Sequence, residues 1–104
     1  MSGRIRKSDL VWTSHAERKR KYYQLSQTRV LKTLRDPDRV EKGIASETVA
    51  CMKRLGTDKN PWEAWVMWQK EGHQKKIISV WRYPGTSPEG EPPLPEDLPE
   101  GFEI

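Results

Sequence analysis

Among the 104 residues, few side chains can act on a bound molecule near neutral pH. His15 can accept and return a proton, Arg18, Arg20 and Arg82 can hold anionic charge, and Tyr83 can donate a hydrogen bond or stack on a planar group. Such a set has the makings of metal-free phosphodiester chemistry. There, one group deprotonates the ribose hydroxyl, another stabilises the charge that develops on phosphorus, and a third protonates the leaving oxygen. His15 also has a structural reading, packed against Trp12 and bonded to the sheet. The single Cys51 and the distant His15 and His73 match no metal-ligand spacing and no internal disulfide. Cys51 has no base beside it and reads as an inert buried thiol. Glu63 and Asp58 lack a second carboxylate at useful spacing, and the seven glycines are scattered rather than gathered into a phosphate-binding loop. No cofactor and no metal are expected.

The charge is unevenly spread. Residues 1–42 carry 12 basic and 5 acidic side chains, residues 43–83 carry 7 and 4, and residues 84–104 carry 6 acidic and no basic ones. The formal net charge of +4 is therefore a basic body with an acidic end. The steepest run, Arg18-Lys19-Arg20-Lys21, has Arg6-Lys7 before it and Arg29, Lys32, Arg35 and Arg39 after it. Such a field attracts phosphate backbones and weakens with salt, although a solvated helix face has the same composition. No apolar run approaches the length of a membrane span, and no signal-peptide pattern opens the chain, so a cytoplasmic location without membrane contact is expected.

These groups must be positioned by short elements. Ser14-x-x-Glu17 fits a capping box and predicts a helix over 15–23. Leu25-Ser26 predicts a second start, with Leu25 stapled to Val30 and the stripe Val30, Leu31 and Leu34 ending before Pro37. From there the apolar period is two, predicting strands over 40–44, 47–55, 62–70 and 75–83 joined as antiparallel hairpins. The expected fold is α+β, one domain over 1–83, with two helices on a four-stranded antiparallel meander. Residues 84–104, holding six of the eight prolines, are expected as an extended acidic tail, free or laid across the basic body with Leu98 and Phe102 as anchors.

One helical layer covers one face of such a sheet. Trp62, Ala64, Val66 and Trp68 alternate with Trp65 and Met67, and Ile78 and Val80 alternate with Ile77 and Trp81, so both faces are apolar. The uncovered face either presents Trp65 among Lys53, Arg54, Lys70, Lys75 and Arg82 as a single-stranded RNA platform, or forms a second core closed by the tail or a partner chain. In the first case Arg18, Lys19, Arg20, Lys21, Lys53 and Arg54 are the phosphate contacts. An alternative function is a protein-interaction module, pairing the Trp-rich face or an open fourth-strand edge with a partner or a second copy in a homodimer.

From Trp12 to Tyr83 the sequence resembles a family of small bacterial and archaeal domains, domain-of-unknown-function family 4258. The resemblance rests on Ser14-His15-Ala16 with Arg18 and Arg20, Leu25-Ser26 before Val30 and Leu34, Asp36-Pro37-Asp38-Arg39-Val40, and Ile77-Ile78-Ser79-Val80 leading to Tyr83. That family is similar to RelE- and BrnT-like toxins, helix-plus-sheet ribonucleases that cut messenger RNA, often on the ribosome, and are neutralised by an antitoxin protein. The resemblance implies a metal-independent endoribonuclease with His15, Arg82 and Tyr83 as catalytic residues, and RNA and an antitoxin as partners. His73, in a predicted turn, is poorly placed as a second histidine, and the Pro-rich segment directly after Tyr83 departs from the toxin pattern.

Overall fold

The computed structural model describes residues 4–90 and 92–93. After a 3-10 turn at Lys7–Asp9 come β1 (Leu10–Trp12), α1 (Ser14–Tyr22), α2 (Gln27–Arg35), β2 (Arg39–Lys42), β3 (Val49–Gly56), β4 (Pro61–Glu71) and β5 (Gln74–Pro84). The α+β class holds, but the sheet has five strands in the order β1-β5-β4-β3-β2 and is mixed. β2 through β5 pair antiparallel in chain order, but within a five-stranded sheet rather than the expected four-stranded antiparallel one. The unexpected β1 pairs parallel to β5, with Leu10 opposite Lys75 and Trp12 opposite Ile77, so the start of the fourth expected strand is not an open edge. Three residues show too little alternation to announce a strand by themselves. No helix among the described residues is long and apolar enough to cross a membrane.

Local chemistry explains both helices. Thr13, rather than Ser14, is the N-cap of α1: its Oγ1 accepts from Ala16 N at 3.0 Å and donates to Ile77 O at 2.8 Å. The cap thus ties the helix start to β5. Glu17 does not close a capping box, because its carboxylate engages Arg20 and Gln27. α1 ends at Tyr22 with Tyr23 as its C-cap; Gln24, at a φ of 58°, then turns the chain, and Leu25 N donates back to Arg20 O at 2.7 Å. Ser26 caps α2 as expected, accepting from Arg29 N at 3.0 Å, and Asp36 before Pro37 ends it. α1 packs on β5, and α2 on β3 and β4.

The helix side of the sheet buries Leu25, Val30, Leu34, Cys51, Ala64, Val66, Ile77 and Val80, with Trp12, Trp62 and Trp68 at its margins. The opposite face is a second core of Ala45, Ala50, Met52, Trp65, Met67, Ile78 and Trp81. Its faces are set by a bulge. Trp68 pairs with Ile77 but Met67 pairs with Ser79, leaving Ile78 as an extra residue. The extra residue inverts the alternation of β5, so Ile77 and Val80 share the helix side while Ile78 and Trp81 share the other, contrary to the simple period-two expectation.

Residues 85–90 do not leave as a free tail. Gly85, at φ 80°, turns the chain after β5 and donates to Pro61 O at 2.8 Å. Ser87 is then buried against the second face. Glu63, 1% exposed, accepts from Ser87 N at 3.0 Å, Ser87 Oγ at 2.6 Å and Trp65 Nε1 at 2.8 Å. Arg39 donates to Ser87 Oγ at 2.8 Å, Pro88 O at 2.9 Å and Glu41 Oε2 at 3.1 Å, and its guanidinium lies 5.1 Å from the Trp65 ring centroid. The segment is a strap, joined to the sheet by a polar network that satisfies a buried acid and a buried base together. The anchors Leu98 and Phe102 lie outside the described residues.

Candidate nucleic-acid interface

The structure does not gather His15, Arg82 and Tyr83 around one point. His15, near the start of α1, is 8% exposed, and its Nε2 lies 3.3 Å from Ser79 Oγ. Beyond the bulge, Ser79, Trp81 and Tyr83 point to the strap side of β5, whereas Val80, Arg82 and Pro84 point to the helix side. Adjacent residues on a strand face apart, so Arg82 and Tyr83 occupy different clefts. Tyr83 lines one with Pro88, Glu89, Gly90, Pro92 and Pro93. The buried contact of His15 with the sheet corresponds to its structural reading.

The expected RNA platform is also rearranged. Trp65 is fully buried, lying parallel to Trp81 with ring centroids 6.0 Å apart beneath the strap, and offers no face to a base in this fold. The Trp-rich face offered for protein docking is a buried core, packed by Ala45 together with Ile44, Tyr23 and Tyr83 and flanked by the Ser87–Glu63 contact. Lys53 and Arg54 point to opposite faces of β3. Lys53 Nζ is held by Asp36 Oδ2 at 3.2 Å and Asp38 Oδ1 at 3.5 Å, and its pKa is raised first by the hydrogen bond with Asp36. Arg54 is exposed, and its backbone N–H donates to Asp38 Oδ2 at 2.7 Å. On α1, Arg18 and Lys21 are exposed, Lys19 lies over Tyr22, and Arg20 bonds Glu17. Burial pushes the Cys51 thiol up to about 12, in keeping with an inert core residue.

Other aromatic groups, on the helix side, meet cations at its margins. Arg82 lies 3.8 Å from the Trp62 ring centroid, Lys75 lies 3.8 Å from that of Trp68, and Arg20 lies 5.9 Å from that of Trp12. Each of these tryptophans is half-buried. The Trp62–Arg82 pair lines an open cleft of about 550 Å³ with Tyr23, Lys59, Asn60, Pro61, Pro84 and Gly85. Arg82 Nε is buried without an acceptor among the described residues, an arrangement that costs about 1–3 kcal/mol for a polar group left unpaired. Gly56 permits the close approach of Trp62: a Cβ on it would stand 2.7 Å from Trp62 Cδ1.

Sequence reasoning found Arg82 but missed Tyr23, Lys59 and Trp62 as its companions. Their juxtaposition depends on β4–β5 pairing after the Ile78 bulge, with Trp62 opposite Pro84 and Ala64 opposite Arg82. The alternation of β4 placed Trp62 on a face but could not say what stood across from it. No family model, curated protein or solved structure matches this chain.

Proposed function

We propose that this chain is a single-stranded RNA-binding domain of toxin-like α+β type. The observation that carries the reading is the pairing of half-buried Trp12, Trp62 and Trp68 with Arg20, Arg82 and Lys75 on the helix side. Bases stack on aromatic or guanidinium planes while cations hold phosphates, and the exposed Arg18 and Lys21 extend the positive surface along α1. The resemblance to ribonuclease toxins adds metal-independent cleavage to the proposal, with an antitoxin as the corresponding protein partner.

The test is incubation of purified protein with a labelled single-stranded RNA across a salt series, with and without EDTA. We expect binding whose logarithmic salt slope is about −2 to −3, corresponding to three or four phosphate contacts on a single strand. Arg18→Gln combined with Lys21→Gln should weaken it at a cost in stability of no more than about 0.5 kcal/mol, from loss of the Lys21–Glu17 pair. Fragments at defined sites that persist in EDTA would support the endonuclease component, and intact RNA would remove that component for free RNA. Absence of binding at low salt would overturn the RNA reading.

A further inference from the structure

Resting on the RNA reading, we infer that the cleft beside Trp62 and Arg82 is a nucleotide subsite that takes a phosphate group on Arg82 and Lys59. Three observations converge there. The guanidinium carbon lies 3.8 Å from the Trp62 ring centroid, and this contact preorganises its planar fork for two-point contact with a phosphate. Its Nε–H is buried with no acceptor among the described residues, so the protein leaves the hydrogen bonding of this guanidinium incomplete. Among the described residues the lining includes Arg82 and Lys59 but no carboxylate, while Tyr23, Trp62, Pro61 and Pro84 supply apolar surface for the nucleoside part. Nearby Glu63 faces the other side of the sheet, where Ser87 and Trp65 engage it. A volume of about 550 Å³ has room for a base and sugar as well as the anion.

The phosphate can be terminal or internal to the RNA, and separate probes distinguish the two. Calorimetric titration of the full chain with adenosine 5′-monophosphate, adenosine and inorganic phosphate tests the subsite itself. A ribohexamer bearing either a 5′-phosphate or a 5′-hydroxyl tests its use. The monophosphate is expected to bind about tenfold more tightly than adenosine, as a charge-assisted hydrogen bond would give. Arg82→Lys preserves net charge but removes the fork, and should cost about fivefold or more in monophosphate affinity. Lys59→Gln, on the exposed turn after β3, should lower it by about two- to threefold and keeps the test sound if Arg82→Lys perturbs folding.

Preference for the 5′-phosphorylated hexamer would assign the site to a terminal phosphate. Equal binding of both hexamers, weakened alike by the variants, would assign it to an internal one. If the monophosphate binds no better than adenosine, or Lys59→Gln and a folded Arg82→Lys both bind it as wild type does, the subsite is overturned even where hexamer binding upholds the RNA reading. Monophosphate binding without hexamer binding at low salt would instead keep the subsite and discard the RNA reading. Binding of an acidic peptide in place of the monophosphate would overturn the nucleotide assignment.

Discussion

The carboxylate of Glu63 accepts both the backbone N–H and the hydroxyl of Ser87, at 3.0 and 2.6 Å, joining the middle of the sheet to a segment 24 residues later. This relationship ties the segment after β5 to the second core, which Ala45, Ile44, Tyr23 and Tyr83 also pack. It converts the face that was to present Trp65 into an interior, and leaves the helix-side margins as the aromatic surface that meets cations.

Breaking the closure should cost stability before it alters binding. Ser87→Ala removes one donor to Glu63 and one acceptor for Arg39, and is expected to destabilise the fold by about 2–4 kcal/mol, measured by urea unfolding. Tryptophan emission should shift to the red in proportion as Trp65 and Trp81 meet water. A variant as stable as wild type would show that the strap contributes nothing to the second core.

Gly56→Ala should affect both stability and the cleft. Gly56 has a φ of 83°, and an added Cβ would meet the Asn60 carbonyl oxygen as well as the Trp62 ring. A loss of about 1–3 kcal/mol is expected from the backbone strain, along with weaker RNA binding as Trp62 shifts from under Arg82. Unchanged RNA affinity in a folded Gly56→Ala protein would separate the indole position from binding.

His15→Ala is expected to lower stability by about 1–3 kcal/mol, because Ser79 Oγ loses the imidazole in a buried setting. RNA affinity, measured on the folded fraction, should stay at the wild-type value. A His15→Gln protein that melts normally but has lost an RNA-cleaving activity present in wild type would move this residue from packing to chemistry.

Acid should erode stability through Asp38 and Glu17. The Arg54 backbone N–H holds the Asp38 carboxyl below its ordinary 3.8, aided by Lys53, and the Arg20 guanidinium holds Glu17 below its ordinary 4.5. Unfolding therefore takes up protons as the pH falls. The stability these groups add is complete above the ordinary values and is lost as pH drops through them to the lower folded ones. Thermal melts should vary little with these two groups between about pH 7 and 6, and Tm should fall below about pH 4.5. Asp38→Asn should flatten part of that acid limb, and an identical slope in the variant would remove Asp38 as a contributor.

Much of the fold was legible because its signals are local. Ser26 caps α2, Asp36-Pro37 ends it, and the alternation through Trp62–Trp68 defines β4; each depends on residues within a few positions of one another. The same is true of the cationic run on α1. The candidate site was legible only as separate residues, because strand pairing decides which of them meet.

The sequence by itself determined two helices, the second with its Ser26 cap, a hairpin-linked sheet apolar on both sides, and a basic body with an acidic, proline-rich end. Tertiary structure alone decided that Leu10–Trp12 adds a parallel edge strand, that Ile78 is the extra residue reversing the faces of β5, and that Ser87 seals Trp65 inside. Helix caps and strand alternation are set by neighbouring backbone groups and the geometry of one pleat. Register, bulges and the choice of which segment covers a face are set by packing and hydrogen-bond satisfaction between residues tens of positions apart. That is why Arg82 was visible as a cation in the sequence, while its stacking on Trp62 became visible only in the assembled sheet.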